Sequence, residues 1–307
     1  MTAEPTIRVL SLGAGVQSTT LVLLAVEGAL PKPDAAIFAD TGWEPARVYG
    51  HLDRLAAVLA AADVPLHKVS AGNLRRDAID PTHRYVSVPY FVRNPDGTEG
   101  MGRRQCTSEY KLAPIGRKVR ELLGAPAPDF RRVPKGQVAE QWIGFSTDEI
   151  HRVPGERTAV SYIRPRYPLL ELGMDRKACA RWLGARGWTV AKSACVGCPF
   201  HGNRQWREMR DQHPDEWADA VAFDAAIRKG GSRGLPLNGE AFLHRSRVPL
   251  ELAPIDRVTS REWADRQGDL LATAADAEAG YDPDEDGDPD GCSPYGCRSG
   301  LPIGGTA

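Results

Sequence analysis

Residues 13–20 read Gly-Ala-Gly-Val-Gln-Ser-Thr-Thr and directly follow a short apolar run, Ile7, Val9, Leu10 and Leu12. Small residues in such a turn let backbone N–H groups point inward. A helix starting just after it adds the partial positive charge of its N-terminus, so an anion is held without a side-chain cation. Ser18, Thr19 and Thr20 add hydroxyl donors. The stretch has neither the Gly-Lys-Ser/Thr of a Walker loop nor the full spacing of the dinucleotide fingerprint. The plainer use of such a turn is to let a helix pack closely on a strand.

The second chemical signal is Cys195-Val196-Gly197-Cys198, followed by Pro199-Phe200-His201. Two thiols separated by two residues can bind one metal ion or cluster, and zinc and iron–sulfur are both open on spacing alone. A redox Cys-x-x-Cys is the other reading, but the strand–motif–helix context of a thioredoxin is absent. Of the other cysteines, Cys179 shares a helical face with Trp182 and Leu183 and reads as core. Cys292 and Cys297 stand in Gly-Cys-Ser-Pro-Tyr-Gly-Cys-Arg near the end of the chain, where a mobile thiol would be presented.

These residues need elements to position them. Residues 34–39 form a second apolar run ending in Asp40-Thr41-Gly42-Trp43-Glu44-Pro45. Val48, Leu52, Leu55, Ala56 and Leu59 then recur at helical spacing, and residues 66–69 read as a third strand. Alternation of this kind predicts an α/β fold, a doubly wound, mostly parallel sheet of Rossmann-like type whose ligands bind at the carboxyl ends of the strands. Residues 13–20 and 40–44 both fall at that edge. Residues 80–104 read as a long loop with a hairpin over 85–92 and the turn Asn94-Pro95-Asp96-Gly97. Another strand is predicted at residues 141–145, and Asp175 reads as the cap of a later helix. Trp206, Met209, Trp217, Val221 and Ile227 fall on short helices of a small cap that carries the cysteine pair. The division expected is a nucleotide-binding domain over 1–190, a Cys-x-x-Cys and helical accessory region over 191–270, and a flexible acidic tail over 271–307.

The 307 residues suffice for a full core, and 42% hydrophobic with 26% charged residues is a globular composition. No run of about 18 apolar residues occurs and the N-terminus lacks a charged-then-apolar signal pattern, so a soluble, cytoplasmic protein without a membrane partner is expected. In that compartment the cysteines point to metal or redox work. Residues 276–290 hold eight acidic residues and no basic one, which leaves about +7 on the rest of a chain whose net charge is −1. A basic body suits an anionic substrate. It also permits nucleic acid, although no dense Lys/Arg tract with interleaved aromatics supports that partner. Asp282, Asp284, Asp286 and Gly287 mimic the opening of a calcium loop, but Ser293 stands where the closing Glu belongs.

Taken in order, the motifs resemble the adenine-nucleotide alpha-hydrolase, or PP-loop, group, within it the phosphoadenylyl-sulfate and adenylyl-sulfate reductases and their ATP-pyrophosphatase relatives. Residues 13–18 look like the pyrophosphate loop, with Gln17 where ATP-using members usually have Asp. Asp40-Thr41-Gly42 matches the second-strand motif. Cys106 followed by Lys111, Pro114, Ile115 and Arg117 is similar to the segment of cluster-bearing reductases with Lys-x-x-Pro-Leu-x-Arg. Residues 143–152 resemble the next substrate-binding strand, and Tyr167-Pro168-Leu169-Leu170 the segment after it. The likeness spans roughly residues 7–200.

The resemblance implies an adenine-nucleotide site at Ser11, Gly13, Ala14, Gly15, Gln17, Ser18, Thr19, Asp40, Thr41, Gly42 and Gly144, taking ATP with magnesium or an adenylylated sulfonucleotide. It implies Cys106, Cys195 and Cys198 as ligands of a 4Fe-4S cluster, zinc being the alternative. Gln105-Cys106 stands where adenylyl-sulfate reductases have two adjacent cysteines, which leaves three ligands, as in certain tRNA-thiolating enzymes; Cys292 or Cys297 is a candidate fourth. Ser146 replaces the family's basic residue, and the reductases' C-terminal Glu-Cys-Gly-Leu-His is absent.

The activity expected is ATP-dependent sulfur transfer. Lys111, Arg117 and Arg152 would stabilise charge on the phosphates, and Cys292 or Cys297 would serve as the mobile thiol, with a sulfur donor or thiol reductant protein as partner. Reduction of adenylyl sulfate, or its phosphorylated form, to sulfite is the second expectation. A non-catalytic zinc-bearing nucleotide sensor or partner subunit, with His201 completing the site, is the third. Oligomeric state is left open.

Overall fold

The computed structural model describes residues 4–83, 88–153, 160–230, 237–259 and 262–263. Along the chain run β1 (Ile7–Leu12), α1 (Val16–Val26), β2 (Ala35–Asp40), α2 (Ala46–Ala61), β3 (Leu66–Ser70), α3 (Leu74–Ile79), β4 (Phe91–Arg93) and β5 (Glu99–Met101). A single turn, α4 (Gln105–Thr107), continues through a π-helical turn (Ser108–Leu112) into α5 (Ala113–Leu122). Then come β6 (Ala139–Trp142), a 3-10 turn (Thr147–Arg152), β7 (Ile163–Arg166), α6 (Pro168–Glu171), α7 (Arg176–Gly184), α8 (Asn203–Gln212), α9 (Pro214–Ala226) and β8 (Glu240–Phe242).

The chain divides into two units. Among the described residues, one gathers those up to Gly72 together with Cys106–Ser193; the other gathers Asn73–Gln105 and those from Ala194 onward. In the first, five strands form one parallel sheet in the order β3-β2-β1-β6-β7. The order reverses between β1 and β6, and in open parallel sheets the crevice at that reversal, outside the carboxyl ends of the strands, is where ligands lie.

Strand alternation sorts the core into two layers. Leu10, Leu12, Ala36, Phe38 and Trp142 face one side, packed with Leu21, Leu24, Leu52, Leu55, Cys179 and Leu183 of α1, α2 and α7. Val9, Ile37 and Ala139 face the other, packed with Ile115 and Val119 of α5 and with Leu123. The sheet is therefore doubly wound. α1 carries no charged residue and is buried on almost every side, whereas α2 buries only Val48, Leu52, Leu55 and Leu59, one stripe of a half-exposed helix. Asp175 caps α7 by accepting from the Ala178 N–H.

Two boundaries differ from the sequence pattern. α1 starts at Val16, ahead of its first leucine, because Ser18 closes the first turn on the Gly15 backbone. β6 ends at Trp142, and the chain then turns tightly, with Phe145 N–H donating to the Ile143 carbonyl at 2.9 Å. The predicted strand over 141–145 thus becomes half strand and half site loop.

In the second unit β4 pairs antiparallel with β5 across the turn Asn94-Pro95-Asp96-Gly97, and on its other side with β8. The hairpin expected from the turn residues forms, with its first strand at Phe91–Arg93. Asp224 of α9 is the polar centre here: it accepts from the Leu243 and Leu250 N–H groups and pairs with Arg228. Among the described residues no helix is long and apolar enough to cross a membrane.

Candidate functional site

The turn after β1 holds Ala14 at φ +53°, a left-handed conformation, between Gly13 and Gly15. Ser18 Oγ lies 3.2 Å from the Gly15 nitrogen and 3.3 Å from its carbonyl, and the Gly13 carbonyl accepts from the Ser193 hydroxyl. The first-turn N–H groups of α1 have no intrahelical carbonyl to meet, so the strand-to-helix turn presents donors at the carboxyl edge. Across the reversal, the loop after β6 comes in close. A Cβ on Gly144 would lie 3.3 Å from both Gln17 Cβ and the Ser18 nitrogen. Glycine at 144 is what lets the two loops approach this closely.

Beside the cradle a polar network is sealed into the protein. Gln17 Nε2 donates to Glu149 Oε2 at 3.0 Å and lies 3.4 Å from Ser146 Oγ, while Gln17 Oε1 accepts from Arg176 Nη1 at 3.0 Å. Ser146 Oγ donates to Glu149 Oε2 at 3.3 Å, and Arg152 pairs closely with Glu149. Gln17, Ser146 and Glu149 are all buried. Of the three cations expected at the site, Arg152 is thus near the loop after β1, with its charge directed at Glu149 and its guanidinium 5.4 Å over the Phe145 ring.

The loop after β2 is braced by its own side chains. Asp40 Oδ1 accepts from the Gly42 N–H and from the Tyr49 hydroxyl, both at 2.8 Å, and Gly42 sits at φ +69°. Burial, then the Asp40 carboxylate, push the Tyr49 phenol well above its ordinary range, so it stays a donor. Thr41 donates to Glu44 Oε1 at 3.1 Å, and Lys111 Nζ lies 3.7 Å from the same oxygen. Lys111 is therefore held in a buried ion pair beneath the Asp40–Thr41–Gly42 loop.

Other predicted residues are engaged elsewhere. Ser11 accepts from the Gln141 amide across the β1–β6 pair at 3.0 Å, in the sheet interior. Arg117 donates to the Pro128 carbonyl at 2.9 Å, in the connection that runs back to the start of β6, and is not gathered with the others at the carboxyl edge. Thr19 Oγ1 lies 2.8 Å from His51 Nε2. The helical turn thus directs Thr19 toward α2.

Cys106 lies buried in the first unit, ahead of Lys111. Cys195 and Cys198 lie in the second, in a turn closed by the Cys198 N–H on the Cys195 carbonyl at 3.0 Å. His201 Nε2 is 2.9 Å from that same carbonyl. A carbonyl only accepts, so this nitrogen carries a proton. Cys106, Cys195 and Cys198 take part in no disulfide among the described residues. Two buried thiols in a turn fit part of a thiolate site. Among the described residues no group of three or more His, Cys, Asp or Glu is arranged to hold a metal ion. Cys292, Cys297 and the acidic stretch around residues 276–290 lie outside the described residues.

Several residues of the site carried no signal on their own in the sequence: Glu149, Arg176, Ser193 and His51. Burial, then the Arg54 charge, pulls His51 down to about 4, and burial does the same for His244, whose ring bridges Asn203 and Ser246. Both rings are neutral in the folded chain at neutral pH and take up protons more readily when unfolded, near pH 6.5. Stability is therefore expected to fall as pH drops from about 6.5 to 4. The deeper His244 would contribute at most about 3 kcal/mol and His51 about half that after solvent screening. Urea unfolding at pH 7 and pH 5 checks this, and His244→Gln should flatten the slope.

Tyr167, just past β7, stacks on Phe145 with centroids 5.7 Å apart. Its hydroxyl is buried with no hydrogen-bond partner among the described residues. Removing an unsatisfied buried group relieves a desolvation penalty, so Tyr167→Phe is expected to raise stability by about 1 kcal/mol, read as an increase in Tm without ligand.

No family model and no curated protein matches the chain. The fold itself is an α/β, Rossmann-like one, its parallel five-stranded sheet compatible with the PP-loop superfamily.

Proposed function

We propose that the chain is an adenine-nucleotide enzyme that activates an acceptor by adenylylation for ATP-dependent sulfur transfer. The observation that carries the nucleotide half is the glycine-rich strand-to-helix turn at the reversal of strand order, where the loop after β6 approaches residues 17 and 18 closely at Gly144. In this reading ATP enters as its magnesium complex. An acceptor oxygen attacks the α-phosphorus, the bond to the bridging oxygen breaks and pyrophosphate leaves. A sulfur nucleophile then displaces AMP from the activated carbon. First-turn N–H groups of α1 and the Ser18 hydroxyl would hold the phosphates, and the braced Asp40–Thr41–Gly42 loop would meet the nucleoside side. The sulfur-handling half rests on the motif Cys195-x-x-Cys198 and on the resemblance that adds Cys106. A metal or iron–sulfur group bound there would supply thiolate-held sulfur chemistry.

A second reading, reduction of an adenylylated sulfonucleotide, is favoured by Gln17. The loop side chain is neutral and its amide is committed to Glu149 and Arg176, so the loop itself brings no carboxylate to the cradle.

The test is calorimetric titration of oxygen-free protein with ATP and adenylyl sulfate, followed by product analysis with sulfide and candidate acceptors. AMP with pyrophosphate supports sulfur transfer, and sulfite from adenylyl sulfate supports the second reading. Absence of binding to either nucleotide overturns both.

A further inference from the structure

Two tryptophans flank the end of α7, and each carries a guanidinium. The helix stops at Gly184, and Gly187 at φ +72° lets the chain fold back, so that the Trp188 N–H donates to the Leu183 carbonyl at 3.0 Å. This turn lays Trp188 against α2, edge-on to His51, with Arg54 Cζ 4.1 Å from the centre of its ring. Just past α7, Arg186 Cζ lies 3.6 Å from the centre of the Trp182 ring, and Glu27 accepts from its Nε and Nη2 at 2.8 and 3.0 Å. Both indoles pack on the apolar cluster of α1, α2 and α7 and stay half-exposed. At these separations guanidinium and ring are in van der Waals contact. Each arginine therefore rests on its ring while remaining exposed.

The charge around them is one-sided. Residues 176–192 hold five basic residues, Arg176, Lys177, Arg181, Arg186 and Lys192, and no acidic one. Lys177 and Arg181 stand one turn apart on α7, both exposed and without an ion pair among the described residues. Arg54 likewise has no carboxylate partner among the described residues, its neighbour Asp53 being paired with Lys68 at 3.3 Å. In sequence these cations are too sparse to read as a nucleic-acid tract. The fold brings Arg54 from α2 onto Trp188 and so completes the pattern of cations interleaved with aromatic rings.

We propose that this face of α7 and α2 binds single-stranded nucleic acid, with bases stacked on the Arg54–Trp188 and Arg186–Trp182 pairs and phosphates neutralised by Lys177 and Arg181. Unpaired bases stack on aromatic rings and on guanidinium planes alike, whatever their sequence. A duplex keeps its bases inside and offers this face its phosphates alone, so the two stacking pairs favour a single strand. Such binding needs no ATP site and does not rest on the nucleotide reading above.

The experiment follows the anisotropy of labelled oligo-dT and oligo-U of about 12 nucleotides on the full chain at about 50 and 200 mM salt, with the oligo-dT/oligo-dA duplex and polyphosphate as competitors. Single strands are expected to bind at least about 10-fold tighter than the duplex. Binding of either strand supports the proposal, and the tighter of the two names the sugar. Lys177→Ala/Arg181→Ala should lower the slope of log affinity against log salt by about 1.4, from two phosphate contacts at about 0.7 each. Arg54→Lys keeps the charge and loses the plane, so it should weaken single strands about 5- to 10-fold and leave the salt slope and polyphosphate binding unchanged. All three replaced side chains are exposed, and thermal melts check that the variants fold; if Arg54→Lys does not, the double variant decides by its slope. No binding at the lower salt, equal affinity for single strand, duplex and polyphosphate, or variants that bind as wild type overturns the proposal. Full displacement of the oligonucleotide by ATP also overturns it, because the strand would then occupy the nucleotide cradle. Oligonucleotide binding that persists in a protein unable to bind ATP supports the surface and removes only the nucleotide reading.

Discussion

Gly144→Ala is expected to abolish tight nucleotide binding while the chain stays folded. The added methyl would stand 3.3 Å from Gln17 Cβ and from the Ser18 backbone nitrogen. The first neighbour is the base of a side chain pinned by Glu149 and Arg176, and the second is a cradle donor. Neither can give way without moving the turn. Overpacking of this kind costs about 1–3 kcal/mol of stability. Displacing one N–H from a phosphate oxygen forfeits a charge-assisted hydrogen bond, so affinity should fall about 10- to 100-fold. The control is Gly116→Ala, in the middle of α5, where a new Cβ meets nothing within 4 Å. It should stabilise by about 0.5–1 kcal/mol through helix propensity alone and leave binding untouched. Titration calorimetry with thermal melts separates the two outcomes. A Gly144→Ala protein that binds as tightly as wild type would mean that nucleotide does not sit in this cradle.

The elements that can be read from the sequence are those whose burial is one-sided or complete. α2 betrays itself by Val48, Leu52, Leu55 and Leu59, β1 and β2 by continuous apolar runs between Gly-rich turns, and α7 by the Asp175 cap. Local rules suffice for these. They fail for contacts between residues far apart in the chain. β4 pairs with β8 from residues about 150 positions away, and no periodicity in a three-residue strand announces such a partner. Arg176 shows the same limit at the site. On its own segment it is a solvated helix residue, and only the fold brings it 159 positions back to Gln17. Thr19 shows the converse, since its place in a hydroxyl-rich loop suggests a phosphate ligand while the helical turn commits it to His51.

Lys111→Met is expected to be the most damaging single change in the first unit, and the recovery of the double variant Glu44→Gln/Lys111→Met tells what the lysine is for. Lys111 and Glu44 side chains are 6% and 1% exposed, with Nζ 3.7 Å from Oε1. Removing one member of a pair so far from water takes a charge partner from the other and costs about 3–5 kcal/mol, whereas replacing both with neutral groups is often close to neutral. Glutamine at 44 still presents an oxygen to the Thr41 hydroxyl, which donates to Oε1 at 3.1 Å, so the brace of the β2 loop survives. Urea unfolding should then show the double variant recovering most of the lost stability. Its turnover decides between two roles. A lysine that only anchors the Asp40–Thr41–Gly42 loop would be dispensable once stability returns, and activity would return with it. A lysine whose ammonium also neutralises developing phosphate charge would leave the refolded double variant at least about 100-fold slower. Because Glu44 lies on the loop that follows β2 and Lys111 on the turn that leads into α5, the pair joins the two segments. The first outcome would assign Lys111 to loop geometry.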